Sequence, residues 1–128
     1  MLPLSLTGGI DITHDDIVFQ LGRFFDNWSG CNSFKIDHIK GGITPSAVGG
    51  FIPDVEAFLD GKRVAIGDAK TPEDIAADPE RIKQQFKAWA PGEHLLVIMV
   101  PQPAHTDIDR LLTEAGIKSR SKVRILTP

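Results

Sequence analysis

Two carboxylates and an amine stand at spacings that suit phosphodiester chemistry: Asp54, then Asp68 and Lys70 on either side of Ala69. Strand side chains alternate between faces, so in a strand ending at Lys70 the residues Val64, Ile66, Asp68 and Lys70 share one face. Asp54, Glu56 and Phe58 share a face of the preceding strand by the same rule. A tight turn at Asp60-Gly61 joins the two as a hairpin, and the register set by that turn brings Asp54 to Asp68. Mg²⁺ is a hard cation that takes carboxylate and water oxygens and keeps several waters, so two carboxylates and one backbone carbonyl are a sufficient protein share. Mn²⁺ suits the same oxygen donors. The Ala69 carbonyl is placed to be the third ligand. Lys70 is the group to orient and deprotonate the attacking water, or to offset charge building on the phosphorus.

The elements that must position these groups follow from pattern. Asp-x-Lys recurs by chance, and an Asp at a strand end is commonly a turn former or a solvated charge. Its weight here comes from context: Pro53-Asp54 opens one strand, a hairpin signal follows, and an apolar second strand ends in charges where water reaches. The spacing predicts motif strands over 51–59 and 62–70. A first helix starts at Thr13, with Asp16 completing a capping box, and Ile17, Leu21, Phe24, Phe25 and Trp28 form its core-facing stripe. A strand over 33–40 follows. Gly41, Gly42, Gly49 and Gly50 then bracket a segment that is either a plain loop or a close backbone approach to a ligand. After Thr71-Pro72 comes an acidic connection, then a helix capped by Asp78-Pro79 with Ile82, Phe86 and Trp89 facing inward. His94 to Val100 is an apolar run that suits a strand buried on both faces. A helix over 106–115 and a strand over 122–126 complete one α/β domain spanning residues 1–128.

Pro53-Asp54 with Asp68-Ala69-Lys70, set in this order of elements, resembles the signature of the PD-(D/E)xK nuclease superfamily. The resemblance covers roughly residues 12 to 100. It implies a restriction endonuclease-like αβββαβ core, a central mixed β-sheet flanked by helices, here with an extra C-terminal helix and strand. Gln85-Phe-Lys-Ala-Trp89 is similar to a Gln-xxx-Tyr element of several such nucleases, with Trp in place of Tyr. That likeness implies a substrate or Lys70 contact for Gln85, whereas Trp89 reads as core packing. Many relatives add a first-helix acidic residue. Here Asp15 or Asp16 is available, with Gln20 one turn further on, or Glu56 from the strand, as replacements. The implied activity is that of a Mg²⁺-dependent DNA endonuclease, working as a homodimer or with a partner subunit. The alternative is an accessory subunit of a recombination, excision or restriction system that binds nucleic acid without cutting it.

Composition narrows the remaining classes. A net charge of −3 argues against a broad basic surface and against strong non-specific nucleic-acid binding. Negative charge gathers in 11–16 and 71–80. Lys35, Lys40, Lys62 and Arg63 flank the central strands, and Lys118, Arg120, Lys122 and Arg124 form a basic tail that either guards an edge strand or contacts phosphate. The single Cys31 allows no internal disulfide and fits a reducing cytoplasm. Met1 to Gly9 lacks the basic start of a signal peptide and no stretch is long enough for a bilayer, so a soluble protein without a membrane partner is expected. His14, His38, His94 and His105 are scattered, with no zinc-ligand spacing. No nucleophile-elbow motif or cysteine-protease surround is present.

Overall fold

The Asp60-Gly61 turn forms as its sequence requires. Asp60 and Gly61 have φ of 52° and 81°, the positive values that primed hairpin turns demand. Asn32 pins this turn: its Nδ2 donates to Asp60 Oδ1 at 2.9 Å, and the Asp60 N–H donates to Asn32 Oδ1 at 3.1 Å. In the computed structural model, which describes residues 12–128, the elements are α1 (His14–Asn27), β1 (Ser33–Ile36), β2 (Val55–Leu59), β3 (Lys62–Ala69), α2 (Pro72–Ala77), α3 (Pro79–Trp89), β4 (Leu95–Met99), α4 (His105–Glu114) and β5 (Val123–Leu126). Met1 to Gly9 and Asp11 lie outside the described residues.

The five strands form one mixed sheet in chain order, antiparallel from β1 to β3 and parallel from β3 to β5. Parallel neighbours need a crossover. Helices α2 and α3 carry the chain from β3 to β4, and α4 carries it from β4 to β5. The sheet separates two cores. Ile17, Val18, Leu21 and Phe25 of α1 pack with Val55, Ala57, Ala65, Ala69, Val97 and Met99 on one face. Ile82, Phe86 and Trp89 of α3 and Ile108, Leu111 and Leu112 of α4 pack with Ile66, Leu96 and Ile98 on the other. The chain is therefore α/β, with a five-stranded mixed sheet flanked by helices. Among the described residues no helix is long and apolar enough to cross a membrane.

Two strand boundaries and one added helix differ from the sequence expectation for physical reasons. β1 stops at Ile36 rather than running to Lys40: the Asp37 N–H still pairs with the Asp54 carbonyl at 2.9 Å, but the next residue, His38, is left-handed (φ 63°) and ends the extended run. β2 opens at Val55, after Pro53, which has no N–H for a ladder. The acidic connection after Lys70 contains the extra helix α2, closed at its start by a capping box between Thr71 and Asp74 with Pro72 in the first turn. The basic tail holds β5, an edge strand beside β4 that carries Arg124.

Asp54 meets Asp68 as expected, but not through the register of the turn. Continuing the Leu59–Lys62 and Phe58–Arg63 pairing of the turn would set Asp54 opposite Gly67 and send Asp68 to the other face. A β-bulge between Ala57 and Phe58 leaves Val64 as the extra residue, so Ala57 faces Ala65 and Val55 faces Gly67. Asp54 then falls opposite Asp68. Val64 accordingly leaves the face of Ile66, Asp68 and Lys70 and lines a hollow with Phe24 and Trp28 instead.

Gly67 sits where α1 presses on this shifted strand. A Cβ there would lie 2.6 Å from Phe25 Cε2 and 3.1 Å from Leu21 Cδ2, and both side chains are almost wholly buried. Gly67→Ala is expected to cost ~1–3 kcal/mol through overpacking. Urea unfolding of the two proteins measures it, and an unchanged midpoint would show that α1 yields without cost.

Candidate active site

Asp54, at the entrance to β2, and Asp68, near the end of β3, meet as a buried pair. They are 6% and 3% exposed. The Ala69 N–H donates to Asp54 Oδ2 at 2.8 Å, and the Asp54 N–H donates to Asp68 Oδ1 at 3.3 Å. Each carboxylate is thus fixed by the other strand's backbone, which is how the hairpin sets their separation. Ala69 contributes its N–H to this arrangement. Lys70, 7% exposed, forms an ion pair with Asp68 Oδ2 and lies 6.0 Å from the centre of the Trp89 ring, within cation–π range. Among the described residues Asp68 Oδ2 has no well-oriented hydrogen-bond donor; the Lys70 charge is its one compensation.

Burial pushes the Asp68 carboxyl up to about 8. The Lys70 charge opposes that rise and the Asp54 charge adds to it. Burial acts on Asp54 in the same direction, but the hydrogen bond and charge of His14 and the Ala69 amide outweigh it and hold Asp54 below the ordinary carboxylate range. His14 answers in kind: its hydrogen bond to Asp54 outweighs the loss of water around the ring and raises it to about 9. Burial and the neighbouring charges therefore drive the two carboxyls apart, Asp68 upward and Asp54 downward, with Lys70 beside the first and His14 beside the second.

The remaining sequence candidates divide sharply. Gln85 is buried on α3 and lines a cleft of about 310 Å³ together with His14, Lys70, Asp74 and Arg81. Its Oε1 is buried and has no hydrogen-bond partner among the described residues, so the contact to Lys70 expected of it is not formed. Asp16 is exposed and spent on the helix start: its Oδ2 accepts from the Thr13 N–H at 3.1 Å while its own N–H donates to Thr13 Oγ1 at 3.1 Å. Gln20 faces a different surface hollow with Arg23, Asn27 and Trp28. Glu56 is buried, but its oxygens take the Ser46 N–H at 3.0 Å and Arg63 at 3.2 Å, so it tethers the glycine-bracketed loop to the sheet. These three are not brought to the Asp54–Asp68 pair as free groups. Trp89 is fully buried, as its packing role requires, and its indole N–H reaches the Phe51 carbonyl at 3.4 Å.

Histidine was missed. His14 at the first turn of α1 and His38 after β1 converge on Asp54, with Nε2 atoms 3.2 Å from Oδ2 and 3.5 Å from Oδ1. Their rings stand 4.9 Å apart at 83°. The expectation of scattered histidines holds for His94, which is bonded to the Trp89 carbonyl at 2.6 Å, and for His105 on α4. It fails for this pair. Sequence offered no spacing signal, because residues 24 positions apart meet only through the sheet. Comparison of the chain with family models, with curated proteins and with solved structures returned no match.

Proposed function

We propose that this chain is a Mg²⁺-dependent phosphodiesterase of the PD-(D/E)xK kind, acting on DNA as an endonuclease. The observation that carries the reading is the convergence of Asp54, Asp68 and Lys70 from the two strands of one hairpin, beside a cleft. Two buried carboxylates in contact repel one another and cost stability when both ionise, which is the arrangement expected of groups made to share a cation. Their oxygens, with the Ala69 carbonyl, are a hard donor set that fits Mg²⁺ or Mn²⁺. Bound there, the ion would polarise a phosphate oxygen and lower the pKa of water.

The chain's own groups supply the rest. Lys70 stands against Asp68 and also lines the cleft, where its ammonium can balance a phosphate and take part in proton movement at the attacking water. Gln85 offers an unpaired acceptor on the same wall for a substrate donor. The order α1, β1 to β3, then helices and β4, is consistent with a restriction endonuclease-like core, with α4 and β5 appended. Two such sites on a homodimer would cut two strands.

A second reading, a nucleic-acid-binding accessory subunit that does not cut, draws support from the way Asp54 is already engaged by His14 and the Ala69 amide. Cleavage decides between them. Supercoiled, linear, single-stranded and branched DNA are incubated with Mg²⁺ or Mn²⁺ and with wild type, Asp68→Ala or Lys70→Ala. Metal-dependent cutting by wild type that both variants lose is the expected result. No cutting of any substrate, or equal cutting by all three proteins, removes the catalytic assignment.

A further inference from the structure

We propose that His14, His38 and Asp15 form a binding site for a divalent transition-metal ion of the zinc, cobalt and nickel class. One ligand atom from each of the three lies within 4.8 Å of the others. The Nδ1 atoms of both rings stand 3.7 Å from Asp15 Oδ1. Tetrahedral ligands held ~2.1 Å from zinc are themselves about 3.4 Å apart, so small side-chain movements close this set around an ion. Two imidazoles and one carboxylate favour borderline metals over Mg²⁺, which prefers oxygen.

The supporting groups point the same way. Metal-binding histidines characteristically donate their other ring N–H to a carboxylate, which fixes the tautomer and aims the free nitrogen. Both rings here turn Nε2 to the two oxygens of Asp54, and His38 Nε2 is also 3.6 Å from Asp37 Oδ2. That leaves both Nδ1 atoms facing Asp15, where an ion would take the place of the ring proton that His14 holds between its carboxylates. Asp15 and His38 have side chains 67% and 41% exposed, so an ion reaches them from solvent and three protein ligands leave a position open for water. His38 has a left-handed backbone, φ 63°, which histidine, like asparagine and aspartate, adopts more readily than most side chains.

The inference differs from the nuclease reading in its ligands, because none of Asp54, Asp68 and Lys70 supplies one; Asp54 is shared only as the carboxylate that both rings face. Untagged wild type, His14→Gln, His38→Asn and Asp68→Asn are titrated with Zn²⁺ and Mg²⁺ by calorimetry, and with Co²⁺ by visible absorption. Asparagine at position 38 tolerates the left-handed backbone, and far-ultraviolet circular dichroism checks each fold. One Co²⁺ per chain with visible bands is expected, with Zn²⁺ bound at least about tenfold tighter than Mg²⁺. His14→Gln and His38→Asn should each weaken Zn²⁺ about tenfold or more, whereas Asp68→Asn keeps wild-type affinity. Zn²⁺ binding no tighter than Mg²⁺, wild-type affinity in the folded His38→Asn protein, or an equal loss in Asp68→Asn would overturn the site. The last outcome would place the ion on the carboxylate pair. Cleavage activity enters none of these readouts, so failure here leaves the phosphodiesterase reading standing, and the reverse.

Discussion

Lys70→Met is expected to lower the stability of the metal-free protein by about 1–2 kcal/mol at pH 9, because Asp68 loses the cation beside it and must take up a proton about one pH unit above its value of about 8. Methionine keeps most of the side chain's volume against Trp89, so the loss reports charge rather than a cavity. The cost should shrink as the pH falls below about 8, where Asp68 takes up a proton and no longer needs a partner. Urea unfolding in the presence of a chelator measures it. The double variant Lys70→Met/Asp68→Asn should recover most of the lost stability, since it leaves neither member of the pair stranded. Activity should behave differently. Both the single and the double variant are expected to lose cleavage by roughly 10³-fold or more, an effect of several kcal/mol on the barrier. A Lys70→Met protein as stable as wild type at pH 9 would show that the Lys70–Asp68 pair is not maintained in solution.

Stability of the metal-free wild type should fall as the pH rises from about 6.5 to 8. Asp68, raised to about 8 by burial, holds a proton in the folded state that the unfolded chain releases near its ordinary value of 3.8. His14, raised to about 9 by Asp54, likewise keeps its proton above 6.5, where the unfolded chain loses it. The folded state therefore binds more protons across this window, and stability declines with a slope of ~1 kcal/mol per pH unit or steeper. The His14 share persists in full below 6.5 and is gone once the pH passes about 9. Asp68→Asn should flatten the profile between pH 6 and 8, leaving the His14 part. Excess Mg²⁺ should raise stability most at the alkaline end, because a cation binds the ionised carboxylates of the folded chain alone. Denaturant midpoints at four or five pH values give the test. A flat profile in wild type would contradict the raised Asp68.

Much of the arrangement was legible because its signals are local. Thr13 and Asp16 cap α1 within three residues of one another, and the Ile17, Leu21 and Phe25 stripe buries as its helical period requires. The Asp60-Gly61 pair could only be a hairpin turn, and the run from Leu95 to Met99 is a central strand for the reason its unbroken apolarity gives. Helix α2 was equally local and was passed over: Thr71, Pro72 and Asp74 spell a capped helix start, hidden inside a stretch that reads first as acidic.

Sequence alone determined that Asp54, Asp68 and Lys70 belong to two strands of one hairpin, because turn chemistry and side-chain alternation act over a few residues. It brought Asp54 to Asp68 but could not supply the reason, since alternation counts chain positions and the count from the turn comes out only through the bulge at Ala57/Phe58. That bulge lets Ala65 and Gly67 fit beneath α1 while Ile66 enters the opposite core, a choice made by packing on both faces at once. Nor could it show that Glu56 is taken by Ser46 and Arg63, or that His14 and His38 close on Asp54. Those partners lie between 7 and 40 positions apart along the chain, and only the folded sheet, by fixing where α1 begins and where the turn after β1 lies, brings their charges within reach of one another.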